Sequence, residues 1–221
     1  MHPTHTPRIK ICCISSRLEL DIAVHAGASL VGLVSSMPSG PGVIDDDLIE
    51  ALARQVPVGV TSVLLTSRQA ATDIVAQHRA MRTDAIQIVD ALTDGTHAAI
   101  RQAVPGIRLL QVIHVTGPAS LDDALRAAPD VDALLLDSGN PAAAVRELGG
   151  TGRRHDWAIS RQIREQANVP VFLAGGLHPA NVRRAIEEVA PFGLDVCSGV
   201  RTDGALDRGK VNAFIGAATV A

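Results

Sequence analysis

Two adjacent cysteines near the start of the chain are the first residues that could do chemistry. Cys12 and Cys13 lie near the end of an apolar run, Ile9–Ile14, and the chain has only three cysteines in all. A thiol there can pack in the core, form half of a disulfide, bind a metal or act as a catalytic base, and the last role requires a thiolate. Because successive strand residues point to opposite faces, the two thiols cannot both face the same side while a strand lasts.

An aspartate at the end of another apolar run is the second candidate. Asp137 follows three consecutive leucines, 134–136. A carboxyl group held against an apolar wall can act as a general acid. The alternative is an ordinary loop aspartate whose oxygens accept backbone N–H bonds, and the residue alone does not decide between the two.

Three turns rich in small residues could bind a phosphate group. Glycine lets the backbone approach an oxyanion, and backbone amides and hydroxyl groups can donate hydrogen bonds to it. One such turn is a weak signal, but three of them follow successive strand-like runs late in the chain, and together they predict one phosphate site. The candidate phosphate-binding residues are Gly149, Gly150, Thr151, Gly152, Gly175, Gly176, Ser198 and Gly199.

Short runs rich in β-branched residues alternate with longer, alanine-rich amphipathic stretches along the chain. The predicted strands are Ile9–Ile14, Leu30–Ser35, Val58–Leu65, Ala85–Val89, Ile107–Val115, Val131–Leu136, Val169–Ala174 and Leu194–Cys197. The predicted helices are 17–26, 46–55, 68–81, 95–103, 119–128, 156–167, 178–190 and 206–218. This alternation is typical of βαβ units and a parallel sheet.

The repeated unit favours an α/β fold with a single (β/α)8 TIM barrel domain over residues 8–221. The alternative is an open doubly wound sheet, which usually binds a nucleotide at a glycine-rich turn after its first strand. That turn reads CISSR here and contains no glycine. In a barrel the catalytic groups lie at the carboxyl ends of the strands, and a phosphate site often follows strands seven and eight. The barrel would therefore bring Cys12, Asp137 and the three turns to one end.

The composition argues against several classes of partner. The net charge is −3, aromatic residues make up 2%, and no basic run occurs, so no nucleic-acid partner is expected. No uncharged apolar stretch approaches about 18 residues, so no membrane partner is expected. Residues 1–7 lack the apolar region of a secretory signal and are expected to be a disordered tail. The small, odd number of cysteines fits a reducing cytosol, which predicts a cytoplasmic location.

A metal site is not expected, because thiols without histidines at ligand spacing make a poor zinc site. Cys197 ends the predicted eighth strand, which neighbours the first strand in a closed barrel. A pairing of Cys12 with Cys197, as a disulfide or as metal ligands, stays open. His114 ends the fifth predicted strand and could face the site, although a polar rim residue is the favoured interpretation.

Several short segments match, in order, the motifs of one known family: Lys10–Ile11–Cys12, Ala26–Gly27–Ala28, Leu135–Leu136–Asp137, 149–152 with Asp156–Trp157, 173–177 with Pro179 and Asn181–Val182, and Asp195–Val196 with Ser198–Gly199–Val200. Through these segments the chain resembles the phosphoribosylanthranilate isomerase family of tryptophan biosynthesis over nearly its whole length. The resemblance implies that Cys12 is the general base and Asp137 the general acid of an Amadori rearrangement that needs no cofactor. Cys13 stands where the family has glycine.

The departures from the family concern the end of the site that would hold the aromatic acid. The loop 39–43 lacks the arginine that the family uses to bind the anthranilate carboxylate. Gln87 matches the family glutamine, but Asp90 follows where the family has glycine. Arg201 replaces an acidic residue and is the candidate substitute for the missing arginine. Gln87 and Arg201 are therefore the predicted substrate-binding residues.

The resemblance implies a cofactor-free aldose–ketose isomerase that converts N-(5-phosphoribosyl)anthranilate to the 1-deoxyribulose phosphate product. A divergent member acting on another phosphorylated sugar or amine adduct without the carboxylate is the first alternative. A barrel lyase or aldolase with the same phosphate site and a non-catalytic phosphometabolite-binding barrel are the others. The expected partners are a small phosphorylated sugar substrate and, if the protein is not a monomer, a second copy in a homodimer.

Overall fold

Eight parallel strands close into a barrel in the order in which they occur along the chain. The computed structural model describes residues 6–140, 148, 152 and 154–219. The strands are β1 (Arg8–Ile11), β2 (Leu30–Val34), β3 (Thr61–Thr66), β4 (Ala85–Ile88), β5 (Arg108–His114), β6 (Ala133–Asp137), β7 (Val171–Leu173) and β8 (Gly193–Val196). Strand β1 pairs with both β2 and β8, so the sheet has no free edge.

A helix follows each strand and covers the outside of the barrel. The helices are α1 (Arg17–Ala26), α2 (Asp46–Ala53), α3 (Ala71–Met81), α4 (His97–Ala103), α5 (Ala119–Ala127), α6 (Trp157–Gln166), α7 (Val182–Val189) and α8 (Arg208–Thr219). Several begin at side chains that accept a hydrogen bond from the first turn, as Ser16 does from Glu19 N and Asp45 from Leu48 N. The predicted TIM barrel is confirmed.

The structure differs from the predicted elements mainly at their ends. Strand β1 ends at Ile11 rather than at residue 14, and β3 begins at Thr61 rather than at residue 58. A small hairpin, β9 (Arg201–Thr202) and β10 (Ala205–Leu206), lies between β8 and α8 and was not predicted. Its strands are too short to produce a hydrophobic period, so no pattern in the sequence indicates them.

The alternation of side chains along β1 separates two hydrophobic layers. Ile9 and Ile11 belong to the cluster that packs between the barrel and its helices. Cys12 belongs to a second cluster inside the barrel, together with side chains such as Leu65 and Phe172. Lys10, also on β1, is fully buried. The inner layer is the smaller of the two clusters.

Residues 1–5 of the expected tail lie outside the described residues, and the described chain begins at Thr6, with Pro7 already buried. In the part of the chain that the structure describes, no helix combines the length and the apolar character needed to cross a membrane.

Candidate active site

A cavity opens at the carboxyl ends of the strands and contains both predicted catalytic side chains. Cys12 follows β1 and Asp137 ends β6, so the two reach the cavity from different sectors of the barrel. The described lining residues are Cys12, Cys13, Val34, Met37, Ser39, Gly40, Pro41, Leu65, Gln87, Asp137, Leu148, Gly152, Ala174, Gly175, Gly176, Leu177, Asp195, Val196, Cys197 and Ser198. They come from both ends of the chain and from its middle, so only the closed barrel assembles them.

The Cys12 sulfur lies beside a buried cation. A Cβ atom at Gly32 of β2 would lie 2.9 Å from Cys12 Sγ and 3.0 Å from Lys10 Nζ, so only glycine leaves room for both groups. Lys10 Nζ lies 3.0 Å from Asp195 Oδ1 of β8. Burial disfavours the ammonium charge, but the Asp195 carboxylate and the nearby sulfur of Cys12 outweigh it, and the pKa of Lys10 is raised. Lys10 is therefore charged beneath the cavity.

Cys13 does not point away from Cys12, because the strand whose alternation would separate the two thiols ends before both of them. Strand β1 ends at Ile11, and Cys13 has a φ of 65°, in the left-handed region that favours glycine. This turn keeps Cys13 in the barrel interior with Cys12, and its Sγ lies 2.7 Å from Cys197 Sγ. All three cysteines are free. The pairing considered between Cys12 and Cys197 is thus replaced by a contact between Cys13 and Cys197.

Asp137 is half-buried at the opposite rim and is held by the residue that follows it. Its Oδ1 accepts a hydrogen bond from Ser138 N at 2.7 Å, and Ser138 Oγ lies 3.4 Å from the same oxygen. One carboxylate oxygen is thereby oriented by the backbone. The role of general acid stays a prediction, because backbone bonding of this kind also occurs at ordinary loop aspartates.

His155 is a buried neighbour of Asp137 that the sequence analysis missed. Its Nε2 lies 2.7 Å from Ser160 Oγ, and Ser160 Oγ can in turn donate to Asp156 O at 3.5 Å. Burial lowers the pKa of His155 to about 4, although the charges of Asp137 and Asp156 oppose that shift. The imidazole is therefore neutral at pH 7.

The second ring nitrogen of His155 points toward the glycine turn after β7. If Nε2 carries the proton and donates to Ser160, Nδ1 is an acceptor. Nδ1 has no hydrogen-bond partner among the described residues. A Cβ atom at Gly175 would lie only 3.0 Å from it.

The candidate phosphate residues that the structure describes lie together. Gly152, Gly175, Gly176 and Ser198 line the cavity, and Ser198 and Gly199 belong to a 3-10 turn after β8. Asn181 braces the turn after β7, because its Nδ2 donates to Gly176 O at 2.9 Å. The remaining phosphate-binding candidates are outside the described residues: Gly149, Gly150 and Thr151.

Gln87 of β4 is buried and lines the same cavity. Its Oε1 has no hydrogen-bond partner among the described side chains and backbone groups. A buried amide oxygen without a partner is costly unless a ligand or water satisfies it. This position fits the predicted substrate-binding role, which stays a prediction.

Arg201 lies beside the β1 loop, but its guanidinium is paired with an acidic residue. Nη1 and Nη2 lie 2.8 and 3.1 Å from the two carboxylate oxygens of Glu19 in α1, and Nη2 also donates to Cys13 O. Arg201 is not among the described lining residues of the cavity. Its predicted contact with the substrate would require it to leave Glu19.

Two residues considered in the sequence analysis lie in a different cavity. Asp90 and His114 line a second cavity beside α4 and α5, so Asp90 does not face the described lining of the first. His114 Nε2 bonds to Val89 O at 2.9 Å, as expected of a rim residue. Among the described residues, no group of three metal-ligating side chains is close enough to hold an ion.

Sequence reasoning missed four groups: Lys10, Glu19, His155 and Asp195. Each has a partner or neighbour that is distant along the chain, as with the Lys10–Asp195 pair. For Lys10 and Asp195 the available signal was an ionisable residue flanked by apolar residues within a strand, as in IKI and LDV. Asp156 and Trp157 instead have structural roles: Asp156 caps α6 and Trp157 is buried in the helix layer.

Comparison with known proteins agrees with this geometry. The family model for N-(5'phosphoribosyl)anthranilate (PRA) isomerase matches residues 9–217. The chain is 38% identical to an N-(5'-phosphoribosyl)anthranilate isomerase of Natronomonas pharaonis, with 96% of this chain and 97% of the relative covered. It is 37% identical to the Halobacterium salinarum enzyme of the same name, with 96% and 95% covered.

Solved structures give the same result. A phosphoribosyl anthranilate isomerase from Thermotoga maritima superposes with a TM-score of 0.80 at 27% identity, covering 96% of this chain and 98% of that one. Another, in complex with reduced 1-(o-carboxyphenylamino)-1-deoxyribulose 5-phosphate, has a TM-score of 0.77 at 25% identity, with the same coverage. The chain belongs to the N-(5'-phosphoribosyl)anthranilate isomerase family.

Proposed function

We propose that the protein isomerises N-(5-phosphoribosyl)anthranilate to the corresponding 1-deoxyribulose 5-phosphate by an Amadori rearrangement. The observation that carries the proposal is that Cys12 and Asp137 line one cavity together with the glycine turns after β7 and β8. An acid and a base on separate strand ends can act on two atoms of a sugar held between them. The family to which the chain belongs is named for this reaction.

Asp137 is the general acid of the first step. Its proton passes to the ribose ring oxygen, the bond between that oxygen and C1 breaks, and the nitrogen lone pair forms a protonated imine with C1. The backbone N–H of Ser138 holds one carboxylate oxygen in place. His155 is neutral at pH 7 because of its lowered pKa, so it does not place a competing positive charge beside the acid.

Cys12 is the general base of the second step. Its thiolate removes the proton from C2 of the open sugar, and the C–H electron pair forms the enolamine, which tautomerises to the ketose. The positive charge of Lys10 lies close to this sulfur. Only protons move between protein and substrate, so the reaction as written needs no redox cofactor or metal.

The glycine turns hold the phosphate, which fixes the sugar relative to the acid and the base. Gly152, Gly175, Gly176 and Ser198 offer backbone N–H groups and a hydroxyl group around one side of the cavity. We include Gly149, Gly150, Thr151 and Gly199 in this site on the strength of the sequence motif. Gln87 Oε1 accepts a hydrogen bond from a sugar hydroxyl in this proposal, which its lack of a partner among the described residues supports.

The assembly and location of the protein are further parts of the proposal. A structure of the Thermotoga maritima enzyme is described as monomers of a dimeric isomerase. We expect this chain to work as a monomer or a homodimer in the cytoplasm, with no nucleic-acid or membrane partner.

Conversion of the anthranilate adduct by the purified protein tests the proposal. Cys12→Ser and Asp137→Asn should each lower kcat by about 10²- to 10⁴-fold, the usual contribution of an acid or base. Asp132→Asn is the matched control: this aspartate lies before the amino end of β6, where it pairs with Arg101 and Arg108. It should change stability but leave kcat near that of the wild type.

Three results would contradict the proposal. No turnover of the adduct by the wild type would favour a divergent member with another phosphorylated substrate or a non-catalytic phosphometabolite-binding barrel. Cleavage of a carbon–carbon bond would favour a lyase or aldolase. Full activity in Cys12→Ser or in Asp137→Asn would remove that residue from its role. Activity should also survive dialysis against a metal chelator.

A further inference from the structure

The three cysteines of the chain meet at one sector of the barrel mouth, although the acid–base mechanism uses only Cys12. The other two face each other across neighbouring strand ends. Ile11 and Val196 are paired residues at the ends of β1 and β8, and Cys13 and Cys197 lie just beyond them. Their sulfur atoms are 2.7 Å apart. The backbone pairing of two strands therefore holds these thiols together.

The two thiols differ in exposure and ionisation. Cys13 is buried, whereas Cys197 is partly exposed and lines the cavity. Hydrogen bonds to Cys12 and Cys197 raise the pKa of Cys13, and burial adds to the shift. The hydrogen bond from Cys13 and the charge of Arg201 lower the pKa of Cys197, although its burial opposes this. Cys197 is therefore better placed than Cys13 to act as a nucleophile, because its thiol is more accessible and lines the cavity.

We propose that Cys13 and Cys197 form a peroxide-oxidisable dithiol, a modification site at the rim that is separate from the acid–base pair. The Cys197 thiolate attacks one oxygen of hydrogen peroxide, the O–O bond breaks, and hydroxide leaves, which gives a sulfenic acid at Cys197. Cys13 then attacks that sulfur, the S–O bond breaks, and water leaves. The hydroxide takes up the proton that Cys197 released on ionising, so the two sulfurs lose two electrons in all and one peroxide is reduced to two waters.

The geometry requires little movement for the second step. A disulfide has an S–S distance of about 2.05 Å, and the sulfurs already lie 2.7 Å apart. The positive φ of Cys13 directs its side chain to β8 rather than into the helix layer. Cys12 also hydrogen-bonds to Cys13, and its sulfur lies against Gly32 and beside Lys10. Cys12 and Cys13 are adjacent in the chain, however, and the Cα atoms of adjacent residues are about 3.8 Å apart, which is shorter than the roughly 4.4–6.8 Å that a disulfide spans. The pairing should therefore be selective for Cys13 with Cys197.

Peptide mapping of the full chain after treatment with hydrogen peroxide, under non-reducing conditions, tests this inference. The wild type should give one linked peptide pair that contains Cys13 and Cys197, with a mass lower by two hydrogen atoms. Dithiothreitol should reverse the change. A link to Cys12, a link between two chains, or oxidation of Cys12 without any link would overturn the inference.

Two variants examine the order of the steps. Cys13→Gly suits the left-handed backbone at that position and removes the resolving thiol, so Cys197 should accumulate as a sulfenic acid that dimedone traps. Cys197→Ser should slow oxidation of Cys13 by about tenfold or more, because the more ionised thiol is lost. Rapid oxidation of Cys13 in Cys197→Ser, or no dimedone adduct at Cys197 in Cys13→Gly, would contradict the assigned order. These readouts are independent of isomerase activity.

Discussion

Lys10 Nζ lies 3.0 Å from Asp195 Oδ1 inside the barrel, and the two residues are 185 positions apart in the chain. The pair joins β1 to β8, the strands whose pairing closes the barrel. The Lys10 side chain is fully buried, and that of Asp195 is 9% exposed. One member of this buried ion pair, Asp195, lines the cavity, and its cation lies close to the Cys12 sulfur.

The first prediction concerns the removal of one member of this pair. Lys10→Met should destabilise the fold by about 3–5 kcal/mol, because it leaves the Asp195 carboxylate buried without a cation. Lys10→Met combined with Asp195→Leu should recover most of that loss, since no buried charge then remains. Urea unfolding of the two single variants and the double variant measures the coupling. Additive losses would show that the two groups do not interact.

The second prediction concerns the glycine turn after β7. Gly175 has a φ of 79°, and a Cβ atom there would approach His155 Nδ1 and Ser138 Oγ to 3.0 and 3.1 Å. Gly175→Ala should raise KM for the phosphorylated substrate at least about tenfold, the equivalent of one charge-assisted hydrogen bond. Gly106→Ala is the matched control, since Gly106 has a φ of 84° and open space around it, before the amino end of β5.

Both glycine variants impose backbone strain, but only one disturbs the cavity. Gly106→Ala should lower the free energy of unfolding and leave KM unchanged. If Gly175→Ala also lowers the free energy of unfolding and leaves KM unchanged, the turn after β7 does not bind the phosphate.

The third prediction is a pH dependence of stability that arises from His155. Its pKa is about 4 in the folded protein against 6.5 for an ordinary histidine. Above pH 6.5 both states are neutral at this site. Between pH 6.5 and 4 the unfolded chain binds a proton that the folded one excludes, so stability falls as the pH falls. The loss approaches roughly 3 kcal/mol below pH 4, at 1.36 kcal/mol for each pKa unit.

Comparison with His155→Phe isolates this contribution. The charged groups facing the ring, Asp137, Asp156 and Arg154, are retained in the variant, so other titrations largely cancel. The difference in unfolding free energy between the two proteins should change between pH 6.5 and 4 and be constant above that range. A constant difference over the whole range would mean that His155 is not held neutral.

The fourth prediction concerns recognition of the anthranilate carboxylate. The loop after β2 lines the cavity through Met37, Ser39, Gly40 and Pro41, and no lysine or arginine is among the described lining residues. Pro41→Arg should lower KM for the anthranilate adduct by about ten- to a hundredfold, because it adds a charge-assisted hydrogen bond. The aniline adduct, which lacks the carboxylate, is the control and should show no such gain.

The same two substrates test the predicted role of Arg201. If Arg201 leaves Glu19 to bind the carboxylate, Arg201→Gln should raise KM for the anthranilate adduct more than for the aniline adduct. If Arg201→Gln changes KM equally for the two adducts and lowers the free energy of unfolding, the role of Arg201 is limited to its ion pair with Glu19.

The sequence alone was sufficient to predict the barrel and the end of it that carries the site. The alternation of apolar runs and amphipathic stretches is a local property, and eight such units leave few ways to cover both faces of a parallel sheet. Asp137 at the end of β6 and the glycines after β7 were found from their place at strand ends. Element boundaries were less accurate, as at β1, because a strand stops where pairing stops and the apolar pattern runs on to Ile14.

Only the tertiary structure decided which polar groups meet. The pairings of Lys10 with Asp195, of Cys13 with Cys197 and of Arg201 with Glu19 each span more than 180 residues. They depend on the closure of β1 against β8 and on the left-handed backbone at Cys13, which no periodic pattern encodes. Hydrophobic periodicity reports which face of an element is buried. The partner of a buried charge or thiol is set by the register and rotation of elements that are distant in the chain.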